Sequence, residues 1–81
     1  MGKNEILERV QSLFQDVLDD DSINLSAEMS SEDIEGYDSL AHIQIVDAIS
    51  KEFKTKFKAR EIMSWSSIGE MIDCIHNKLN Q

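Results

Sequence analysis

Three stretches of this chain place apolar residues at steps of three and four, the period of a helix with one buried face, and together they span over half of it. Ile6, Leu7, Val10, Leu13, Phe14, Val17 and Leu18 predict a first helix over about residues 3–18. Leu40, Ile43, Val46, Ile49 and Phe53, with Ile45 and Ala48 widening the stripe, predict a second over about 39–53. Ile68, Met71, Ile72, Ile75 and Leu79 predict a last one over 68–79, and "KTKFKAREIMSW" allows a short helix around 58–63 anchored by Phe57, Ile62 and Met63. The chain has no proline, which agrees with helices throughout. The expectation is an all-α fold in one domain, 1–81: a small bundle of three main helices plus one short helix.

Local signals mark the ends. Asp19, Asp20 and Asp21 stack like charges at the negative end of the first helix, where the dipole disfavours them. Asp38 is a natural N-cap for the second helix, and Ser67 with Glu70 has capping-box spacing at the start of the last. Between the first two helices, "DDDSINLSAEMSSEDIEGY" has no sustained period but carries isolated apolar residues at Ile23, Leu25, Met29, Ile34 and Tyr37. It reads as a long ordered loop pinned at those points, and connections of this length are often functional.

Sixteen acids against eight Lys and Arg give a net charge of −8, which repels nucleic acid and anionic membranes and points to protein partners with basic patches. The charge is uneven: residues 1–38 hold eleven acids and two bases, residues 39–81 five acids and six bases. A single cysteine, Cys74, excludes an internal disulfide and reads as a small buried hydrophobe. No apolar run approaches a signal peptide or a membrane span, so a cytoplasmic location without stable membrane insertion is the default expectation. No start among Asp19, Asp20 and Asp21, with Asn24, supplies the alternating oxygen ligands, the glycine at position six and the glutamate at position twelve of a calcium loop together, and no metal site is expected.

Chemistry concentrates at Gly36-Tyr37-Asp38-Ser39-Leu40. Ser39 falls in the first turn of the second helix, where unpaired N–H groups and the positive dipole end favour an anion. A plain helix-start serine is the bland alternative. A catalytic serine fits poorly: it lacks the glycines of a nucleophile elbow, and its nearest base, His42, has no orienting acid. His42 itself reads as a solvent-facing polar residue, and Trp65 as a corner-sealing side chain.

These residues, followed by Ile43, Ile45 and Val46 on the helix, long loop, helix, short helix, helix order, resemble the acyl carrier proteins, and more widely the phosphopantetheine-bearing carrier domains. The resemblance implies a monomeric carrier, not an enzyme, whose Ser39 hydroxyl takes a 4'-phosphopantetheine arm from coenzyme A through a magnesium-dependent phosphopantetheinyl transferase. It implies that Asp38 helps position that metal and caps the helix, and that Leu40 packs and presents the motif. The arm's thiol would hold an acyl group as a thioester and deliver it between loading and transferring enzymes. An aminoacyl or peptidyl carrier, or an unmodified helical interaction module, are the alternatives.

The chain departs from the family pattern on its second helix, where only Asp47 and Glu52 are acidic and His42 and Gln44 stand where acids are often found. Just beyond come Lys51, Lys54, Lys56, Lys58 and Arg60. These departures favour a specialised biosynthetic pathway, and the absence of a linker favours a freestanding carrier. Glu32, Asp33, Glu35 and Asp47 are the expected partner-recognition face.

Overall fold

The computed structural model describes residues 1–80. Helices α1 (Lys3–Leu18), α2 (Ser39–Phe53), α3 (Ala59–Met63) and α4 (Ile68–Leu79) form the expected all-α bundle, and α1 packs against both α2 and α4. The three long helices, α1, α2 and α4, each contribute one face to a shared core, whereas α3 buries no residue. Ile6, Val10 and Phe14 of α1, Ile45 and Ile49 of α2 and Ile75 of α4 are the innermost side chains, and Leu25 and Ile34 of the long loop join them.

The buried face of α2 differs from the expected stripe. Ala41, Ile45, Ile49 and Phe53 are buried, a strict four-residue row, whereas Leu40 and Ile43 are exposed. Both stripes satisfy helical periodicity. The row that packs is the one that meets α1, and burying it turns Leu40 and Ile43 outward.

Side chains of α1 fasten the loop. Gln11 Oε1 accepts the N–H of Leu25 at 2.8 Å and Gln15 Nε2 donates to the carbonyl of Ile23 at 2.9 Å, one turn apart on the same face. Asp19 closes α1 in the left-handed conformation at φ 51°, and a single 3₁₀ turn (Ser31–Asp33), which periodicity did not reveal, leads towards α2.

The far side of the loop docks on α4. The N–H of Ile68 donates to the carbonyl of Met29 at 2.8 Å and that of Gly69 to Ala27 at 2.9 Å, so the loop satisfies donors that a free helix start would leave to water. Ser67 caps as expected, accepting from the N–H of Glu70 at 3.2 Å. The reciprocal half of the capping box is absent: Glu70 instead accepts from the N–H of Ser66 at 2.6 Å and its hydroxyl at 2.7 Å, which holds its carboxyl below the usual glutamate range.

Gly69 permits this docking. A Cβ there would lie 3.0 Å from the Ala27 carbonyl oxygen, which belongs to backbone and cannot swing aside. Gly69→Val is therefore expected to cost about 1–3 kcal/mol through overpacking, read as a lower urea midpoint, with amide exchange in residues 27–30 accelerating first. Unchanged protection there would show that the loop does not depend on this contact.

Candidate functional site

Asp38 and Ser39 sit where the chain turns from loop into α2. Asp38 is extended, and its Oδ1 accepts the N–H of Ala41 at 2.8 Å while its carbonyl receives that of His42 at 2.9 Å. This is the predicted N-cap. It makes Ser39 the first helical residue, and Ser39 is exposed. Gly36, at φ +84° in open space, makes the turn that sends Tyr37 inward just before Asp38 and Ser39 emerge.

Tyr37 anchors that turn. Its ring stacks on the fully buried Phe14 with centroids 5.7 Å apart, and burial pushes its phenol up to about 12, so it stays protonated at physiological pH. Its hydroxyl is hydrogen-bonded to His42 Nδ1. Either the phenol donates to Nδ1 or an Nδ1–H donates to the phenol oxygen, according to the tautomer of the ring.

His42 therefore does not face solvent as the sequence reading expected. It is half-buried, edge-on to Tyr37 at 5.7 Å and to Trp65 at 6.5 Å, and Trp65 meets Phe57 edge-on at 5.4 Å. Its position one turn after Ser39 points it back over the loop instead of out from the bundle. Trp65 does seal a corner as expected, but it also walls a groove of about 300 Å³ with Ile34, Tyr37, His42, Ile68 and Met71, rimmed by Ser30, Glu32, Ser66 and Ser67.

A shallow depression at the attachment motif is lined by Tyr37, Asp38, Ser39, His42 and Ile43. Tyr37 and His42 thus border both hollows. Leu40, expected to pack, is 64% exposed and Ile43 66%, which leaves two apolar side chains beside Ser39 on the outer face of α2. Sequence periodicity signalled neither the groove nor this pair.

Glu32, Asp33 and Glu35 are exposed on the segment leading to Ser39, although Asp33 also accepts from the N–H of Ser30 at 3.0 Å. Asp47 lies on α2 and pairs with Lys51 at 3.0 Å, which weakens its field. Lys54, Lys56, Lys58 and Arg60 are exposed and follow α2 in the chain, a helix whose 15 residues rise about 22 Å from Ser39 at 1.5 Å per residue.

Cys74 is half-buried rather than buried, with Sγ 3.8 Å from Glu61 Oε2. Burial raises its thiol, the Glu61 carboxylate adds to the shift, and the protonated form is a poor nucleophile. Among the described residues no group of His, Cys, Asp and Glu is arranged to hold a metal ion, and no helix is long and apolar enough to cross a membrane.

Comparison with known proteins agrees with this geometry. Residues 8–75 match the family model of the phosphopantetheine attachment site. The chain is 28% identical over 79 residues to an acyl carrier protein of Thermosynechococcus vestitus, covering 98% of both chains. The solution structure of a holo acyl carrier protein from Geobacter metallireducens superposes with a TM-score of 0.85 at 34% identity, over 91% of this chain and 85% of that one. A helix-capped, solvent-facing serine motif on a matching four-helix scaffold thus coincides with a family match over most of the chain: it belongs to the acyl carrier protein family, whose members are carriers built around a covalently bound phosphopantetheine and not catalysts.

Proposed function

We propose that Ser39 is the attachment point, and that the chain holds acyl intermediates as thioesters on the arm and delivers them to the enzymes of a specialised biosynthetic pathway. The observation that carries this is the exposed hydroxyl at the first residue of α2, beside an open depression and directly after a capping Asp38. The residues fit the group. A phosphodiester on Ser39 would face the positive end of α2, with Asp38 turned to the helix cap through Oδ1. When bound, the arm supplies the thiol. The chain's own part is to expose Ser39, fix the turn through Tyr37 and present Leu40 and Ile43 beside it. Intact mass after incubation with coenzyme A and broad-specificity transferases tests the reading: gain of one phosphopantetheine supports it, and an unchanged mass with all of them overturns it.

His42 and Gln44 on α2, in place of acids, support a dedicated pathway over a general one, because they change the surface that partners meet around Ser39. The partner face we favour is Glu32, Asp33 and Glu35 with Asp47. The three loop acids are exposed and close in sequence to Ser39, whereas Lys54 stands at the far end of α2, a helix length away. Their field should speed encounter with basic enzymes by about tenfold or more. Reversing Glu32, Asp33 and Glu35 to lysine is expected to slow phosphopantetheine transfer by that factor at low salt and hardly at all at high salt. Reversing Asp47 alone should do less, since Lys51 already offsets it. An undiminished rate for the loop reversals, with a loss on changing Lys54 and Lys58 to glutamate, would move the docking face to the basic edge.

A further inference from the structure

We propose that the edge formed by Lys54, Lys56, Lys58 and Arg60 docks an acidic segment of a partner protein, one whose carboxylates recur about 6–7 Å apart. This goes beyond the carrier reading and does not depend on it.

The ion pairs of the chain leave this edge out. Eight Lys and Arg face sixteen acids, so acids enough are present to pair every cation. Lys3, Arg9, Lys51 and Lys78 are paired, at 2.8 to 3.0 Å. The four cations of residues 54–60 are exposed and, among the described residues, in no ion pair. The acids next to them in sequence, Asp47, Glu52 and Glu61, are committed to Lys51, Arg9 and Lys78.

Two of the four also stand where the fold alone would favour another residue. Lys54 closes α2 at φ 53°, a left-handed position that suits glycine. Lys58 is the N-cap of α3, although an ammonium has no acceptor to offer the free N–H groups there and a serine or aspartate has. Residues that break a local preference without a gain in stability point to a role outside the fold.

The backbone presents these side chains in a fixed row. Thr55 and Phe57 are half-buried while Lys54, Lys56 and Lys58 are exposed, the alternation of an extended segment. Phe57 anchors it, edge-on to Trp65 at 5.4 Å and under Lys78 Nζ at 5.6 Å. The N–H of Thr55 donates to the Ser50 carbonyl at 3.1 Å and that of Lys58 to Glu61 Oε1 at 2.8 Å, which pins both ends. Alternate residues of an extended chain lie about 6.6 Å apart. Carboxylates four apart on a helix rise about 6 Å, and those two apart on a strand match directly.

The charge of the whole chain selects the kind of partner. At −8, with the acids concentrated in residues 1–38, the protein repels an extended polyanion such as a bilayer or a nucleic acid. A discrete acidic segment meets the basic edge alone.

The test titrates the full chain into two fluorescein-labelled peptides of equal composition, one helical with glutamates at i, i+4 and i+8, the other with them in one block. The spaced peptide is expected to bind at least about fivefold more tightly and to shift the amide resonances of residues 54–60. The double variant Lys54→Gly, Lys58→Ser separates docking from folding, because it relieves the left-handed lysine and supplies a cap. It should melt a few degrees higher yet lose about threefold or more in affinity for the spaced peptide, with phosphopantetheine transfer unchanged. Equal binding of the two peptides, affinity that survives the double variant, a variant that melts no higher, or tighter binding to phosphatidylglycerol vesicles than to the spaced peptide would each overturn the proposal. Slower transfer to the variant would assign the edge to the transferase and overturn it too. A wild type that takes no phosphopantetheine would sink the carrier reading and leave the peptide result to decide this one.

Discussion

Ser39→Ala is expected to leave the protein folded and wholly unable to take phosphopantetheine. The side chain is exposed and alanine is the better helix former, so stability should move by no more than about 0.5 kcal/mol. Transfer should disappear, because no neighbouring hydroxyl has the same position: the Tyr37 phenol is turned inward onto His42, and Ser66 and Ser67 are engaged with Glu70. Asp38 can be separated into two roles. Asp38→Asn retains a capping side chain and should melt close to wild type, whereas Asp38→Ala should lose about 1 kcal/mol with the cap. If Asp38 also helps position the transferase's magnesium, the asparagine variant will lose transfer while keeping its stability. Mass spectra of the three variants beside thermal melts check this, and a full mass gain in Ser39→Ala would place the arm elsewhere.

The fold was legible because its helices announce themselves locally. Asp38 before Leu40, and Ser67 before an apolar run, place helix starts by hydrogen-bond demand alone, and α1, α2 and α4 begin and end where periodicity put them. What periodicity cannot choose is which of two overlapping rows on a hydrophobic helix meets the core. On α2 the row through Ala41, Ile45 and Ile49 won over that through Leu40 and Ile43, because packing on α1 decides it.

The motif was legible for the same local reason, and its surroundings were not. Tyr37 and His42 are five residues apart across a helix start, and Trp65 joins them only when α3 returns the chain to α2. The docking of Met29 and Ala27 on Ile68 and Gly69 is likewise a contact between distant segments, invisible to any window. Glu70 shows the limit within a motif: the capping-box spacing is present, yet the carboxylate satisfies Ser66 instead. In each case a long-range or competing hydrogen bond set the outcome.

Phe14 is where the core and the attachment turn meet, and Phe14→Ala should therefore damage both. It is fully buried, and truncation of such a side chain costs about 3–5 kcal/mol. A chain of 81 residues has about 4–12 kcal/mol in total at the usual per-residue stability. The alanine variant should therefore lose from about a quarter to all of that stability, read as a much lower melting temperature. Phe14→Leu keeps most of the volume and should stay folded, but it removes the ring on which Tyr37 stacks, worth about 0.5–1.5 kcal/mol beyond area. Tyr37 then loses half of what holds it, and with it the turn through Gly36 that presents Ser39. Phosphopantetheine transfer to Phe14→Leu should accordingly slow severalfold although the protein is folded. Ile6→Val supplies the comparison, since it sits equally buried on the same face of α1 two turns away and should cost about 0.5–1.5 kcal/mol without touching the turn. Similar losses of stability with unlike transfer rates would show that Phe14 supports the site through Tyr37. Equal transfer rates in the two variants would show that the turn holds itself, through the Asp38 cap and the bond between Tyr37 and His42.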